Sequence, residues 1–467
     1  MRTIITLICV GFSSYLFGYA PIDTLPQGSR VSLLVNNSVG SPLSINSDQL
    51  FPPASTLKVI TALAAKLELG DNFRFKTQLE SKDNDIIVRF SGDPTLTTKN
   101  LDALFKRLSQ QGISTIKGNI WLNNGIFTGY ERAVGWPWDI LGVCYSAPSS
   151  AITLDGNCVQ ASIYTNVDGT TRVYVPEHQP ITVRTTAITV SKEEQKERQC
   201  QLELLTADNN TYHLSGCLTA MKKPLPLKFA VQETQAYTES VIRRLLAKHH
   251  ISFNGQISKH NDIQGKIVAS HTSIPLNEML DTMLKKSSNL IADNITKTLG
   301  ARFYSQAGSF NNGTEAIKQI IFSNSGIDLS DAQLADGSGL SRNNRITARD
   351  MSRVLDYIWK NDSTLNLMAM LPKSGETGTL KYRKSMQKPS IKGYMQAKSG
   401  SVYGTYNMAG YVLDENGRPK SIFVQFISDY FPNKEEKESN SLPSVYQFEQ
   451  AFYRDLIKQS PKSSSLP

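Results

Sequence analysis

An apolar helical pattern over residues 55–69 stops at Gly70, and helical periodicity returns only with Leu276, Met279, Leu280, Met283 and Leu284, continuing through Leu290, Ile291 and Ile295. Between them, from Phe73 to about Val268, the texture is that of short strands. Runs such as 85–90, 118–122, 171–175 and 202–205 are separated by Gly, Asp and Asn turns. Further strands are expected at 31–35, 395–401, 406–413 and 422–428. Turns are expected around Asn36-Asn37 with Gly40-Ser41-Pro42 and at Asp414-Glu415-Asn416-Gly417, and a terminal helix at about 444–458. The fold class this implies is α/β (α+β): one domain interrupted by a long β-rich insertion. The tail 460–467 is low-complexity and expected to be disordered.

A chain of 467 residues suggests two or three domains at roughly 150 residues each. Apolar residues at 40%, with 18 Tyr, 18 Phe and 4 Trp, exclude intrinsic disorder and a small disulfide scaffold. The formal charge of +9 is spread along the chain, so nucleic-acid binding is not indicated, although a weakly acidic or membrane-surface partner is permitted.

Arg2 precedes an apolar stretch over 4–20 that ends in Gly18-Tyr19-Ala20 before Pro21, the pattern of a secretory signal peptide over 1–20. The alternative is an uncleaved N-terminal anchor. Ile8 before Cys9 does not fit a lipidation site. No later run reaches the roughly 20 apolar residues of a membrane span. Without Cys9 an even four cysteines remain, Cys144, Cys158, Cys200 and Cys217. In an oxidising compartment these read as two disulfides with three possible connectivities, the sequence-local pairs Cys144–Cys158 and Cys200–Cys217 being favoured. Zinc ligation is not supported: there is no C-x-x-C, and no His stands at ligand spacing from a Cys. No metal and no cofactor is expected.

Three short patterns carry chemistry. S-x-x-K occurs at Ser55, Ser114 and Ser385, but only Ser55-Thr56-Leu57-Lys58 opens a helix, where i, i+3 spacing sets hydroxyl and amine on one face. A serine becomes nucleophilic when a base takes its proton, and a lysine serves once burial or another cation depresses its pKa. Ser287-Ser288-Asn289 lies at the junction of two apolar-periodic segments, where a turn can aim short polar side chains into a cleft. Lys398-Ser399-Gly400 lies in an extended run whose Gly permits close backbone approach, whereas Lys373-Ser374-Gly375 follows Pro372 in a Gly-rich loop.

The order Ser55–Lys58, Ser287–Asn289, Lys398–Gly400 resembles the penicillin-recognising serine enzymes. The first two motifs lie more than two hundred residues apart. That gap resembles the class C low-molecular-mass penicillin-binding proteins of the penicillin-binding protein 4 type, which are periplasmic D-alanyl-D-alanine carboxypeptidase/endopeptidases. Phe51-Pro52-Pro53-Ala54-Ser55, Ser91-Gly92-Asp93-Pro94-Thr95, Gly135-Trp136-Pro137-Trp138, Leu284-Lys285-Lys286-Ser287, Asp336-Gly337-Ser338-Gly339-Leu340-Ser341-Arg342 and Tyr406-Asn407-Met408-Ala409-Gly410 resemble the family too. The resemblance implies a transpeptidase/β-lactamase-like catalytic domain (21–78 and 268–467), split by inserted domain II (79–165 and 222–267) and inserted domain III (166–221).

It also implies roles. Ser55 would be acylated, with Lys58 as its base. Ser287 would relay the proton to the leaving D-alanine, and Asn289 would hold the substrate amide. Lys398 and Ser399, beside Gly400, would bind the terminal carboxylate. The amides of Ser55 and Ser401 would form the oxyanion hole. Asp155 and Arg342 would grip the diaminopimelate side chain near Tyr403, where the family's type member carries Gln. Partners implied are peptidoglycan stem peptides, β-lactams as acylating inhibitors and, as a candidate assembly, a homodimer. No membrane span is expected after signal cleavage. A β-lactamase fits less well, given the long insertion and the lack of an evident deacylating Glu motif. A non-catalytic peptidoglycan-binding or β-lactam-sensing protein has no need of a nucleophile–base pair.

Overall fold

The computed structural model describes residues 19–37, 42–438 and 441–458. The expected signal peptide lies outside the described residues but for its last two positions. Cys9, the turn at Gly40-Ser41 and the tail 460–467 also lie outside them. A five-stranded antiparallel sheet runs in the order Met395–Val402, Thr405–Leu413, Pro419–Ser428, Arg30–Asn37, Leu43–Ile45. Side chains alternate across each strand, so the sheet feeds two cores. Leu34, Ala409, Tyr411 and Val424 face the helices Leu57–Leu69, Leu276–Lys286, Asn289–Tyr304, Phe310–Ser325 and Ala348–Lys360. Leu33, Val35, Met408 and Phe423 face the terminal helix Ser444–Lys458 through Phe448, Phe452 and Leu456. Helices thus cover both faces, which is why the strand Pro419–Ser428 is buried on both sides from Ser421 onward.

The helix Leu57–Leu69 is buried on every side from Leu57 to Lys66, as its almost uniformly apolar sequence requires. It lies against the helices Asn289–Tyr304 and Phe310–Ser325 and stops at Gly70, which takes φ +73.

The insertion is less purely β than its texture suggests. A five-stranded sheet, in the order Ile257–Lys259, Ile120–Asn123, Asp85–Arg89, Lys76–Lys82, Lys266–Thr272, packs with two long helices, Thr98–Gln110 and Thr234–Lys248, around a second core. The first helix buries Leu101, Leu104, Phe105 and Leu108, a helical spacing, and starts at a capping box between Thr97 and Asn100. Both helices interrupt a neighbourhood that otherwise reads as strands. The paired strands Lys76–Lys82 and Lys266–Thr272 cross the expected limits 78/79 and 267/268. Two smaller sheets share a third core through Ala161, Ile163, Tyr212, Leu214 and Phe229. Hence the strands Cys158–Thr165 and Leu225–Ala230, assigned in sequence to domain II, also serve the unit at 166–221. Disulfides join Cys144 to Cys158 and Cys200 to Cys217.

Candidate active site

Ser55 sits in a single 3₁₀ turn, Ala54–Thr56, that runs straight into the helix Leu57–Leu69. Ala54 takes φ +47, a left-handed conformation costly for alanine. The Thr56 hydroxyl pins the turn by donating to the Pro53 carbonyl at 2.7 Å. Two glycines let other backbone close on it. A Cβ at Gly400 would lie 2.8 Å from the Pro53 oxygen and 2.9 Å from the Ser55 nitrogen, and one at Gly339 would lie 1.8 Å from the Ala54 oxygen. One turn on, Lys58 is wholly buried. Its Nζ donates to Ser55 Oγ at 2.9 Å, Asn289 Oδ1 at 2.7 Å and the Ser338 carbonyl at 2.5 Å, using all three ammonium donors. Burial brings Lys58 down to about 8, against the opposing pull of Asp293 and Asp336. Asp293 is equally buried, and burial with Asp336 nearby pushes its carboxyl well above the usual range. Its Oδ1 accepts the amides of Gly337 and Ser338, each at 3.0 Å.

Ser287 takes φ +56 and ψ +42 as the left-handed C-cap of the helix Leu276–Lys286, and Ser288 then caps the helix Asn289–Tyr304. The break between two apolar segments is therefore a two-residue cap-to-cap junction. It turns Ser287 toward Lys398, whose Nζ donates to Ser287 Oγ at 3.0 Å and to the Ser399 carbonyl at 2.7 Å. Burial, then the charges of Lys58 and Arg383, hold Lys398 well below its ordinary value. The Ser399 and Thr379 hydroxyls lie 3.0 Å apart in a hydrogen bond, and Asn289 Nδ2 donates to the Tyr145 carbonyl at 2.7 Å. Two hydroxyl–amine pairs, Ser55 with Lys58 and Ser287 with Lys398, and two further hydroxyls thus converge at one strand edge. That is the equipment of acyl transfer to serine.

Residues 30–450 match the family described as D-Ala-D-Ala carboxypeptidase 3 (S13). The chain belongs to this family. It is 37% identical to the D-alanyl-D-alanine carboxypeptidase DacB of Haemophilus influenzae, over 97% of each chain. The crystal structure of penicillin-binding protein 4 (dacB) from Haemophilus influenzae superposes with a TM-score of 0.86 at 37% identity, covering 94% of this chain and 98% of that one. A structure of that protein complexed with a β-lactam gives 0.81 at 36% identity, with the same coverage. These matches establish the penicillin-binding α/β fold and the family expected from the motifs.

Within this S13 chain the other expected site residues divide. Arg342 is exposed, its guanidinium 5.7 Å from the centre of the Tyr403 ring. Tyr403 is 76% exposed and rests against Phe431. These two are brought together near the strand edge that carries Ser401. Asp155 is not with them. Its two carboxylate oxygens take the amide of Thr98, at 2.8 Å, and the Thr98 hydroxyl. The expectation that it grips a ligand beside Arg342 is therefore corrected: it caps the first turn of the helix Thr98–Gln110, where a carboxylate is favoured by the helix dipole. The string around it is a turn with positive φ at Asp155, Gly156 and Asn157.

The other S-x-x-K and K-S-G copies lie elsewhere. Ser114 is exposed between a helix and a strand. Ser385 is buried and donates to Glu449, and Ser374 donates to the Ile391 carbonyl. Asp293, Thr379 and Tyr145 were missed. Asp293 could have been found four residues after Asn289, on the same helical face. Thr379, in a Gly-rich loop, carries no sequence signal. Among the described residues no group of His, Cys, Asp and Glu is arranged to hold a metal ion, and no helix is long and apolar enough to cross a membrane.

Proposed function

We propose that this S13-family chain is a serine DD-peptidase acting through an acyl-Ser55 intermediate. It hydrolyses D-Ala-D-Ala termini of peptidoglycan stem peptides as a carboxypeptidase and D-Ala–diaminopimelate cross-links as an endopeptidase, and β-lactams acylate and inhibit it. The observation that carries this reading is the buried Lys58 amine, brought down to about 8 and 2.9 Å from Ser55 Oγ.

Lys58 takes the Ser55 proton as Oγ attacks the penultimate D-alanine carbonyl. The N–H groups of Ser55 and Ser401 hold the oxyanion. Ser287, bonded to Lys398, delivers a proton to the departing amine as the C–N bond breaks. Water then hydrolyses the ester and restores Ser55. Lys398 and the Ser399–Thr379 hydroxyl pair receive the carboxylate of the leaving residue, and Asn289 orients the substrate amide. Arg342 and Tyr403 contact the diaminopimelate side chain of the acyl-donating stem. The N-terminal signal pattern and the bacterial carboxypeptidase relative support a periplasmic location. Labelling with fluorescent penicillin and mass spectrometry of digested cross-linked peptidoglycan test the reading. Wild type labels once and releases D-alanine and uncross-linked stems, and Ser55→Ala does neither. Labelling that survives Ser55→Ala overturns the assignment.

A further inference from the structure

A cleft of about 850 Å³ opens directly from the catalytic junction and runs away into the inserted part of the chain. Ser287 and Asn289 form its catalytic end. Thr282 and Lys286, on the last turn of the helix Leu276–Lys286, form one wall, and Leu204, Leu227 and Phe229 of the small inserted sheets form the other. The loop that carries Tyr145, fastened by the Cys144–Cys158 disulfide, lies between them. Beyond Ser287 and Asn289, none of the residues lining this space takes part in the steps proposed above. Hydrolysis of a terminal D-Ala-D-Ala releases one small amino acid, whose carboxylate the proposed reaction places at Lys398, Ser399 and Thr379.

We propose that the cleft is the leaving-side subsite for cross-linked substrate: it receives the second stem peptide, the one that departs with the amine. The inference rests on the acyl-Ser55 reading and deepens it. In a cross-link the leaving amine belongs to a diaminopimelate centre whose carboxylate occupies the place of the terminal D-alanine carboxylate. The rest of that stem must extend outward from the same pocket. The last turn of the helix Leu276–Lys286 flanks both places: a Cβ at Gly378, next to Thr379, would lie 2.7 Å from the Lys285 carbonyl, while Thr282 and Lys286 line the cleft.

The chemistry of the walls fits such a chain. A stem peptide alternates alanine methyls with carboxylates. The cleft supplies an apolar floor together with Lys228 and Lys286, both exposed and neither in an ion pair among the described residues, against one acidic side chain, Glu203. The small inserted sheets thereby acquire a task that carboxypeptidase action alone does not give them.

The test compares three reactions of the full chain: hydrolysis of a monomeric pentapeptide, hydrolysis of a cross-linked muropeptide dimer, and acylation by penicillin. Lys228→Glu with Lys286→Glu reverses two exposed charges. It is expected to lower kcat/KM for the dimer by about tenfold while leaving the other two rates within about twofold. Lys228→Arg with Lys286→Arg should restore the dimer rate, since it keeps the charge. Equal losses on all three reactions, or an undiminished dimer rate in the Glu variant, overturn the subsite. A wild-type chain that takes up no penicillin overturns the serine-peptidase reading itself, and the subsite falls with it.

Discussion

The role of base proposed for Lys58 rests on where it is held. In water a lysine keeps its proton far above neutrality. Here burial removes enough of the solvation of the charged form to bring it to about 8, while three acceptors fix the nitrogen against Ser55. The sign of the pH dependence follows. Below about 8 the amine is protonated and cannot accept the Ser55 proton; above it the free base accumulates. The rate constant for acylation by penicillin should therefore climb with pH and level off past about 8, as stopped-flow measurement across that range would show. A flat profile would assign Lys58 to electrostatic support. Lys58→Arg should lose about 10²–10⁴-fold in acylation, because a guanidinium does not give up its proton in a protein. Circular dichroism of the same variant separates lost chemistry from lost fold. The motif residues Ser55, Lys58, Ser287 and Lys398 were legible because hydroxyl–amine chemistry restricts both residue type and spacing. Asp293 stands four residues after Asn289 on the same helical face, but spacing alone does not tell its carboxylate from others on that helix; the loop it braces through the Gly337 and Ser338 amides does.

At the scale of elements, the site is a meeting of backbone ends held at contact distance. Gly400 allows the strand Met395–Val402 to lie against the turn that carries Ser55, and an added methyl there would sit 2.9 Å from the Ser55 nitrogen. Gly400→Ala should destabilise by about 1–3 kcal/mol in thermal or urea unfolding. It should also reduce acylation in the folded fraction, because the turn itself must shift. The Cys144–Cys158 bridge holds the loop whose Tyr145 carbonyl fixes the Asn289 amide. The paired change Cys144→Ala with Cys158→Ala should cost about 2–4 kcal/mol and slow acylation, whereas Cys200→Ala with Cys217→Ala should cost stability with acylation unchanged. Parallel melting and penicillin-labelling series distinguish the two. Four strands of the central sheet were readable from their apolar runs, and so were the helices Leu57–Leu69, Leu276–Lys286, Asn289–Tyr304 and Ser444–Lys458; the short strand Leu43–Ile45 and the helices Phe310–Ser325 and Ala348–Lys360 were not expected. The helices Thr98–Gln110 and Thr234–Lys248 were hidden by the strands around them. Asp155 was misread for a related reason: a carboxylate in a turn looks the same in sequence whether it meets a ligand or the first turn of a distant helix.

Across the whole molecule, the sheet's far face is tied down by a buried ion pair. Glu449 of the terminal helix is fully enclosed, meeting Arg383, the Ser385 hydroxyl and the amide of Gln425. Glu449→Ala leaves the guanidinium without its partner and should cost about 3–5 kcal/mol, seen as a large fall in melting temperature. The central sheet has a consequence for how the chain comes to life. The strand Arg30–Asn37 pairs along all eight of its residues with Pro419–Ser428, and only through that late strand and Thr405–Leu413 does it join the edge carrying Lys398. Ser55 and Lys58 are synthesised early, yet the scaffold that aligns them with their partners does not exist until the ribosome has passed the last strand. An unfinished chain is therefore a hydrolase without an active site, and cutting power arrives only with the completed polypeptide.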